Sequence, residues 1–440
     1  MEPFSVLQFL KDKTILVTDA TGFLAKIFVE KILRIQPNVK KLYLLVRASD
    51  ANSATQRILN EVIKTDLFRT LRDIWGDNFD SFILEKVMAI PGDVSYQNFG
   101  IKDSNLIEEM WREIDLIVNC AATTNFDERY DVALETNTMG VFHVSSFAKN
   151  CVKIQMLLHV STAYVCGERS GLIQEKSFFY GETLKWGNIL DITTEQDLVE
   201  QKLSQLRTIN TAEKAVTSIM KDYGIERAKL YGWPNAYVFT KAMGEMALCN
   251  SNSTNNLPTV IIRPTMVTST YKEPFPGWVE GLRTIDGPII GYGKGKLKCL
   301  LANPRTTFDL GTWWGTVLDS SAKFHGYIAI KYLLPLKGLK LVNSIFCRRF
   351  ESIYRDYDRK IKFVIRLVKL YKPYMFFEGI FDDTNLEELR SAIRENGNGN
   401  SNASNISVEL DVFNFDPQSI DWEDYFTNIH IPGVLRYVVK

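Results

Sequence analysis

Lys13 to Arg47 reads KTILVTDATGFLAKIFVEKILRIQPNVKKLYLLVR, two apolar runs on either side of a turn and an amphipathic stretch. Thr14-Ile-Leu-Val17 is a short β-branched and apolar run, as a buried strand requires. The turn Thr18-Asp-Ala-Thr-Gly22-Phe-Leu-Ala25 follows, and then about three turns of amphipathic helix. Leu24, Ile27, Phe28, Ile32 and Ile35 recur at helical spacing and can pack on a sheet. Pro37 and Asn38 end the helix, and Lys41-Leu-Tyr-Leu-Leu-Val46 is a second buried strand closed by Arg47. Strand, turn, helix and strand in this span form a βαβ unit. Such a unit offers a helix N-terminus and bare backbone N–H groups to a pyrophosphate.

The turn departs from the three glycines such a site usually carries. The corresponding positions are Asp19, Gly22 and Ala25. Ala25 still permits close packing. Asp19 adds a Cβ where the turn calls for positive φ, and a carboxylate close to phosphate. Like charges ~4 Å apart cost on the order of 4 kcal/mol at an effective dielectric near 20.

Further strands are expected at Lys86–Ile90, Ile114–Val118, Met156–Val160 and Thr259–Ile262, with helices between. This alternation predicts an α/β fold with a doubly wound parallel sheet, its sites beyond the carboxyl ends of the strands. A mostly polar insertion spans about 172–234, with a charged helix expected from Glu195 to Lys221. From about Arg348 the composition turns helical and basic, and Asn396 to Ser404 reads as a flexible loop. The expected divisions are therefore 1–310 with its insertion, a connecting segment 311–347, and a mainly helical region 348–440.

Composition limits the function classes. The 440 residues hold fifty-two basic and fifty-two acidic side chains, so no charge bias draws the chain to nucleic acid. Six scattered cysteines without a Cys-x-x-Cys pair read as reduced thiols. Four histidines, none paired at ligand spacing, argue against a zinc site, and no metal is expected. No signal peptide is expected before the first strand, and the sequon Asn402-Ala-Ser404 carries no meaning without a secretory route. No run is apolar enough to span a membrane. Tyr327 to Val342 comes nearest, interrupted by Lys331, Pro335, Lys337 and Lys340; it reads as a packed helix or as one lying on a lipid surface.

Tyr237-Val-Phe-Thr-Lys241 sets a phenol and an ammonium four residues apart on one helix face. A nearby ammonium favours the phenolate and should lower the phenol's pKa. Thr162 follows the fifth strand and can hold a carbonyl oxygen that Tyr237 protonates. Together with Asn119-Cys-Ala-Ala122 after the fourth strand, these residues match the extended short-chain dehydrogenase/reductase pattern.

A closer resemblance, to plant alcohol-forming fatty acyl-CoA reductases, covers nearly the whole chain. It is carried by Val17-Thr-Asp-Ala-Thr-Gly-Phe-Leu-Ala-Lys26, Tyr43-Leu-Leu-Val-Arg47, Asn119-Cys-Ala-Ala-Thr-Thr-Asn-Phe-Asp127 and His159-Val-Ser-Thr-Ala-Tyr-Val-Cys-Gly167. It continues through Gly232-Trp-Pro-Asn235, Tyr237 to Lys241, Ile262-Arg-Pro-Thr265 and Glu273-Pro-Phe-Pro-Gly-Trp278. Phe381-Asp-Asp-Thr-Asn385, Phe413-Asn-Phe-Asp416 and Ile420-Asp-Trp422 complete it.

The resemblance implies a Rossmann-type sheet with a C-terminal mainly helical domain, and NADPH-dependent reduction of a long-chain acyl-CoA to a primary alcohol. It implies Tyr237, Lys241 and Thr162 as catalytic residues, with Lys241 also on the nicotinamide ribose. It sets the dinucleotide against Thr18, Asp19, Thr21, Gly22, Phe23, Leu24, Arg47, Asp93, Val94, Asn119, Ala121 and Pro264. Arg47 would meet a 2′-phosphate, which favours NADP over NAD, and Asp93 the adenine. The Phe275–Trp278 loop and the C-terminal helices would shape an acyl tunnel. A cytoplasmic place at the endoplasmic reticulum surface is the implied location. Against the family pattern, several tens of residues are missing after Thr307-Phe-Asp-Leu310, where the chain passes through Gly311-Thr-Trp-Trp-Gly315. Two other readings share these residues: an inactive relative that keeps the fold, and a reductase or epimerase acting on a nucleotide sugar or sterol.

Overall fold

The computed structural model describes residues 5–249, 257–282, 285–295, 299–303, 316–346, 349–398 and 412–439. Its centre is a six-stranded parallel sheet of β1 (Thr14–Thr18), β2 (Lys41–Val46), β3 (Val87–Pro91), β4 (Leu116–Asn119), β5 (Met156–Val160) and β6 (Thr259–Ile262). The strand order is β3-β2-β1-β4-β5-β6, a doubly wound arrangement whose order reverses between β1 and β4. Every expected strand is present, with β3 and β4 starting one and two residues later than their apolar runs.

β1 is apolar on both faces because both are covered. Ile15 and Val17 join one core with Leu42, Leu44, Ala25, Val29 and Leu33. Leu16 turns the other way, to Tyr43, Leu45, Ile117, Phe99 and Phe147. Each such side chain contributes about 1.5–3 kcal/mol by leaving water. Helix α1 (Phe23–Ile35) buries Ala25, Val29, Ile32 and Leu33. Leu24, Ile27 and Phe28 pack only partly buried against that core. The buried face is thus turned slightly from the one the sequence suggested.

On the other face lie α2 (Ser104–Glu113) and α3 (Gly140–Asn150), the latter continuing a helix begun at Tyr130 through a π turn at Glu135–Met139. The insertion holds two helices rather than one, α4 (Ile192–Thr208) and α5 (Glu213–Tyr231). Asp191 caps the first, accepting from the N–H groups of Thr193 and Thr194. Gly232 ends the second in the left-handed region at φ 102°. Glu195, fully buried, accepts from Tyr130 Oη at 2.7 Å, Tyr231 Oη at 3.1 Å and Arg227 Nε at 3.1 Å. These bonds fasten the insertion to the helix beneath it. Then α6 (Ala236–Leu248) returns to the sheet, almost wholly buried.

The compact units divide the chain differently from its composition. One unit comprises Met1–Gly167, Gln174–Arg283 and Phe381–Lys440, the other Glu168–Ile173 and Thr284–Ile380. The last sixty residues thus belong with the sheet, because buried polar contacts hold them there. Tyr425 Oη donates to Ser269 O at 2.8 Å, and Tyr437 Oη to Asp66 Oδ2 at 2.7 Å. A Cβ on Gly433 would stand 2.8 Å from Gly277 C, so helix and loop touch backbone to backbone.

The second unit pairs β7 (Cys299–Leu301) with β8 (Thr316–Leu318) in parallel. Around them lie α7 (Ser321–Ile328), α8 (Leu334–Ile345) and α9 (Glu351–Met375). Leu301, Leu318, Phe324 and Ile328 form its small core. The loop expected from Asn396 is helical over its first residues, since a helix runs Thr384–Asn398, and the rest of that stretch lies outside the described residues. The sequon and the segment where the family pattern breaks off lie outside the described residues.

Candidate active site

The sheet's carboxyl ends gather the residues expected to carry chemistry. At the β1–β4 switch point, Thr18 and Asn119 are register partners, as are Asn119 and His159 on the next strand. Thr18 Oγ1 donates to Asn119 Oδ1 at 2.7 Å and accepts from Ala121 N at 3.0 Å. Asn119 Nδ2 donates to His159 Nδ1 at 3.0 Å. Burial, reinforced by the Lys241 ammonium, holds His159 well below its ordinary pKa, so the ring is neutral. A neutral ring that accepts at Nδ1 carries its proton on Nε2. These three polar side chains brace the strand ends from below.

The three residues expected to be catalytic come from two elements. Thr162, two residues past β5, caps a 3₁₀ turn and accepts from Tyr164 N at 3.3 Å. Asn235 caps α6 through Val238 N at 3.2 Å, and the helix then presents Tyr237 and Lys241 one turn apart. Thr162 and Tyr237 share a side-chain hydrogen bond. Phe126 stacks on the Tyr237 ring with centroids 5.4 Å apart and planes at 25°. Asn137 Nδ2 donates to Thr240 Oγ1 at 3.0 Å and Thr138 Oγ1 to Thr240 O at 2.9 Å, fixing the helix between its two active positions.

Lys241 acts otherwise than its spacing suggested. Its Nζ donates to Val160 O at 2.7 Å, tying α6 to the end of β5. Desolvation lowers its pKa to about 8, against the pull of Glu245 and Cys120. Tyr237 is pushed up to about 12 by burial, with only the Thr162 bond acting downward. Burial therefore decides the state of the phenol, which is protonated at neutral pH.

The expected dinucleotide cradle is the turn between β1 and α1. Asp19 lies in the left-handed region at φ 53°, as the missing glycine implied. Gly22 begins α1 in extended backbone. A Cβ built on it would lie 2.9 Å from Asp19 Cγ and 3.0 Å from Asp19 O, so only glycine fits there. The dinucleotide's requirements are met in part: a close backbone approach and a helix N-terminus are present, with one carboxylate among them. Thr21 and Leu24 flank this turn, half-buried. Arg47, at the end of β2, acts electrostatically on Asp19.

Other expected contacts have structural occupations. Asp93 Oδ1 accepts from Ser95 N at 2.9 Å, which shapes its own turn. Val94 is buried, its carbonyl 2.9 Å from His143 Nδ1. Pro264 O accepts from Ala163 N at 2.9 Å, joining the β6 end to the Thr162 turn. Phe23 stacks on Trp278, centroids 5.2 Å apart. Trp278 and Phe275 belong to the core around α1, and the Arg69 guanidinium carbon sits 3.4 Å over the Phe275 ring. That loop packs inward instead of lining an acyl tunnel.

Sequence reading missed Lys26, Arg57, Cys120, Phe126 and Glu245. Lys26 Nζ donates to both oxygens of Glu280 at 2.7 Å. Arg57 grips Glu61 at 2.7 and 2.8 Å and donates to Arg47 O at 2.6 Å. Glu245, one turn beyond Lys241, is fully buried and held by Arg263 Nε at 3.0 Å. Its helical spacing from Lys241 was visible; the others meet the site through tertiary contacts alone.

Two family models, both described as male sterility protein, match residues 17–312 and 331–440. The chain is 50% identical to the probable fatty acyl-CoA reductase 4 of Arabidopsis thaliana, with 99% of each chain covered. It is 47% identical to fatty acyl-CoA reductase 1 of the same plant, again over 99% of each. It is 46% identical to the alcohol-forming fatty acyl-CoA reductase of Simmondsia chinensis over 99% of each. That alignment runs over 500 positions against 440 residues, in keeping with a chain shorter than the family pattern. On these matches and on the parallel sheet beneath them, the chain belongs to the fatty acyl-CoA reductase family.

Proposed function

We propose that this chain reduces a long-chain acyl-CoA to a primary alcohol with two equivalents of NADPH, releasing coenzyme A. The observation that carries the reading is the Thr162–Tyr237 hydrogen bond at the carboxyl end of the sheet, with Lys241 one turn along the same helix. Two dinucleotides, bound in turn, would each supply one hydride to a carbonyl carbon, and each reduction adds one proton at oxygen. Tyr237 and Thr162 both offer O–H groups to that oxygen as negative charge grows on it. Tyr237, protonated at neutral pH, gives the proton that completes the alcohol. Phe126 covers the phenol ring and keeps water from it. Lys241 orients α6 against Val160. The thiol leaves between the two reductions, which keeps atoms and electrons in balance. New primary alcohols should appear in lipid extracts of cells expressing the chain; unchanged extracts, with the protein folded, would contradict the reading.

NADPH over NADH is supported by Arg47 and Arg57, two guanidinium groups near the end of β2 with no carboxylate at position 47 itself. In a fluorescence titration, NADPH should bind at least tenfold tighter than NADH, and Arg47→Ala should remove most of that preference. Equal affinities would refute the assignment. Asp19 favours a second reading, a family member whose cofactor affinity is weakened.

Membrane contact is proposed through α8. Leu334, Leu341 and Ile345, at one helical stripe, are 68%, 65% and 67% exposed. Tyr327 to Phe346 holds three lysines and no acidic residue, which suits an anionic lipid surface, here the cytoplasmic face of the endoplasmic reticulum. Among the described residues no helix is long and apolar enough to cross a membrane. The chain should float with vesicles containing phosphatidylserine, and Lys337→Glu with Lys340→Glu should abolish flotation. Flotation unaffected by the charge reversals would exclude this surface.

A further inference from the structure

Asp19 stands at the first glycine position of the turn, with its backbone in the left-handed region at φ 53°. Its side chain folds across the turn onto Gly22, since a Cβ there would meet Asp19 Cγ at 2.9 Å. Gly22 N donates to the Asp19 backbone O at 2.7 Å, which closes the turn. The carboxylate therefore occupies space beside the N–H groups of α1, where an anion is favoured.

Charged and titratable groups reach it from each neighbouring element. They are Arg47 from the end of β2, Lys26 from α1, Arg57 from the helix Ala51–Ile58, and the Cys120 thiol after β4. Two of these cations are already committed, Lys26 to Glu280 and Arg57 to Glu61. The cradle thus holds one anion of its own, with limited free positive charge to hold a second.

We propose that Asp19 is an internal occupant of the phosphate cradle, and that a dinucleotide binds with uptake of one proton by its carboxylate. The inference rests on reading this turn as the dinucleotide site. Burial already raises Asp19 to about 6, although Arg47, Lys26 and Arg57 all pull it down. An arriving pyrophosphate adds negative charge and raises it further. Above pH 6 the carboxylate is ionised in the free chain, so each bound dinucleotide must draw a proton from solvent. Affinity should fall as pH rises.

The test is NADPH titration of the wild type, Asp19→Asn and Asp19→Gly between pH 6 and 8.5. The 2′-phosphate and Lys241 titrate in all three proteins, so the ratio of dissociation constants isolates Asp19. The wild-type constant should rise relative to either variant by roughly tenfold per pH unit above pH 7. Calorimetry in phosphate and Tris buffers at pH 7.5 should show about one more proton taken up by the wild type than by Asp19→Asn. A pH-independent ratio with equal proton counts would overturn this inference and leave the cofactor reading standing. No NADPH binding by any of the three folded proteins at any pH would overturn both.

Discussion

Tyr237→Phe should lower the turnover of acyl-CoA by about 10²–10⁴-fold, while NADPH affinity and melting temperature stay near the wild-type values. The phenol oxygen is bonded to Thr162, while the ring's packing, stacked against Phe126, does not depend on it. Phenylalanine keeps the ring contact and removes the one group that can both hold and protonate the carbonyl oxygen. Phe239, two residues along α6, and Trp233, before the helix starts, pack on each other and are untouched. Initial rates with NADPH and a long-chain acyl-CoA, beside a cofactor titration and a melting curve, check all three. Turnover within a few fold of wild type would remove Tyr237 from the chemistry.

Asp19→Gly should act on two independent readouts. NADPH should bind roughly ten- to hundredfold tighter at pH 7.5, because a carboxylate no longer opposes the pyrophosphate at close range. The free protein should also become more stable. The folded pKa of Asp19, about 6, lies above its ordinary 3.8, so folding resists its ionisation. That cost is absent below pH 4, grows between about pH 4 and 6, and is complete above. Discounted for partial exposure, it is on the order of 2 kcal/mol at neutral pH. Glycine also relieves the left-handed backbone at this residue. Denaturant melts at pH 4 and pH 7.5 should therefore diverge between wild type and variant only at the higher pH, apart from the small backbone gain. An unchanged dissociation constant would mean that Asp19 does not sit against the pyrophosphate.

Much of this was legible in the sequence because it is local. Thr14–Val17, Lys41–Val46 and Met156–Val160 read as strands since a parallel strand buried on both faces must be apolar throughout. The helical spacing of Tyr237 and Lys241, and the turn position of Thr162, sufficed to group the trio. The positive φ at Asp19 followed from the missing glycine.

What escaped depends on neighbours distant in the chain. Lys241 looked set to acidify Tyr237, but its Nζ instead meets Val160 O, contributed by a strand eighty-one positions earlier. No spacing rule reveals that desolvation dominates both groups. Phe275 and Trp278 were expected to shape an acyl tunnel; Phe23 and Arg69 supply surfaces that draw them into the core. The division near Arg348 followed a change in composition, whereas the compact units follow the buried contacts of Tyr425 and Tyr437. Arg57 and Lys26 surround Asp19 only once α1 and its following elements are folded.

A four-electron reduction at one site leaves a stoichiometric signature. Purified chain is given hexadecanoyl-CoA and NADPH at pH 6.5, and NADPH oxidised, free thiol released and lipid product are followed together. Two NADPH should be consumed for each thiol released, with hexadecanol as the product. A folded protein that binds NADPH yet releases no thiol, or that stops at one NADPH per thiol with the aldehyde accumulating, would contradict it.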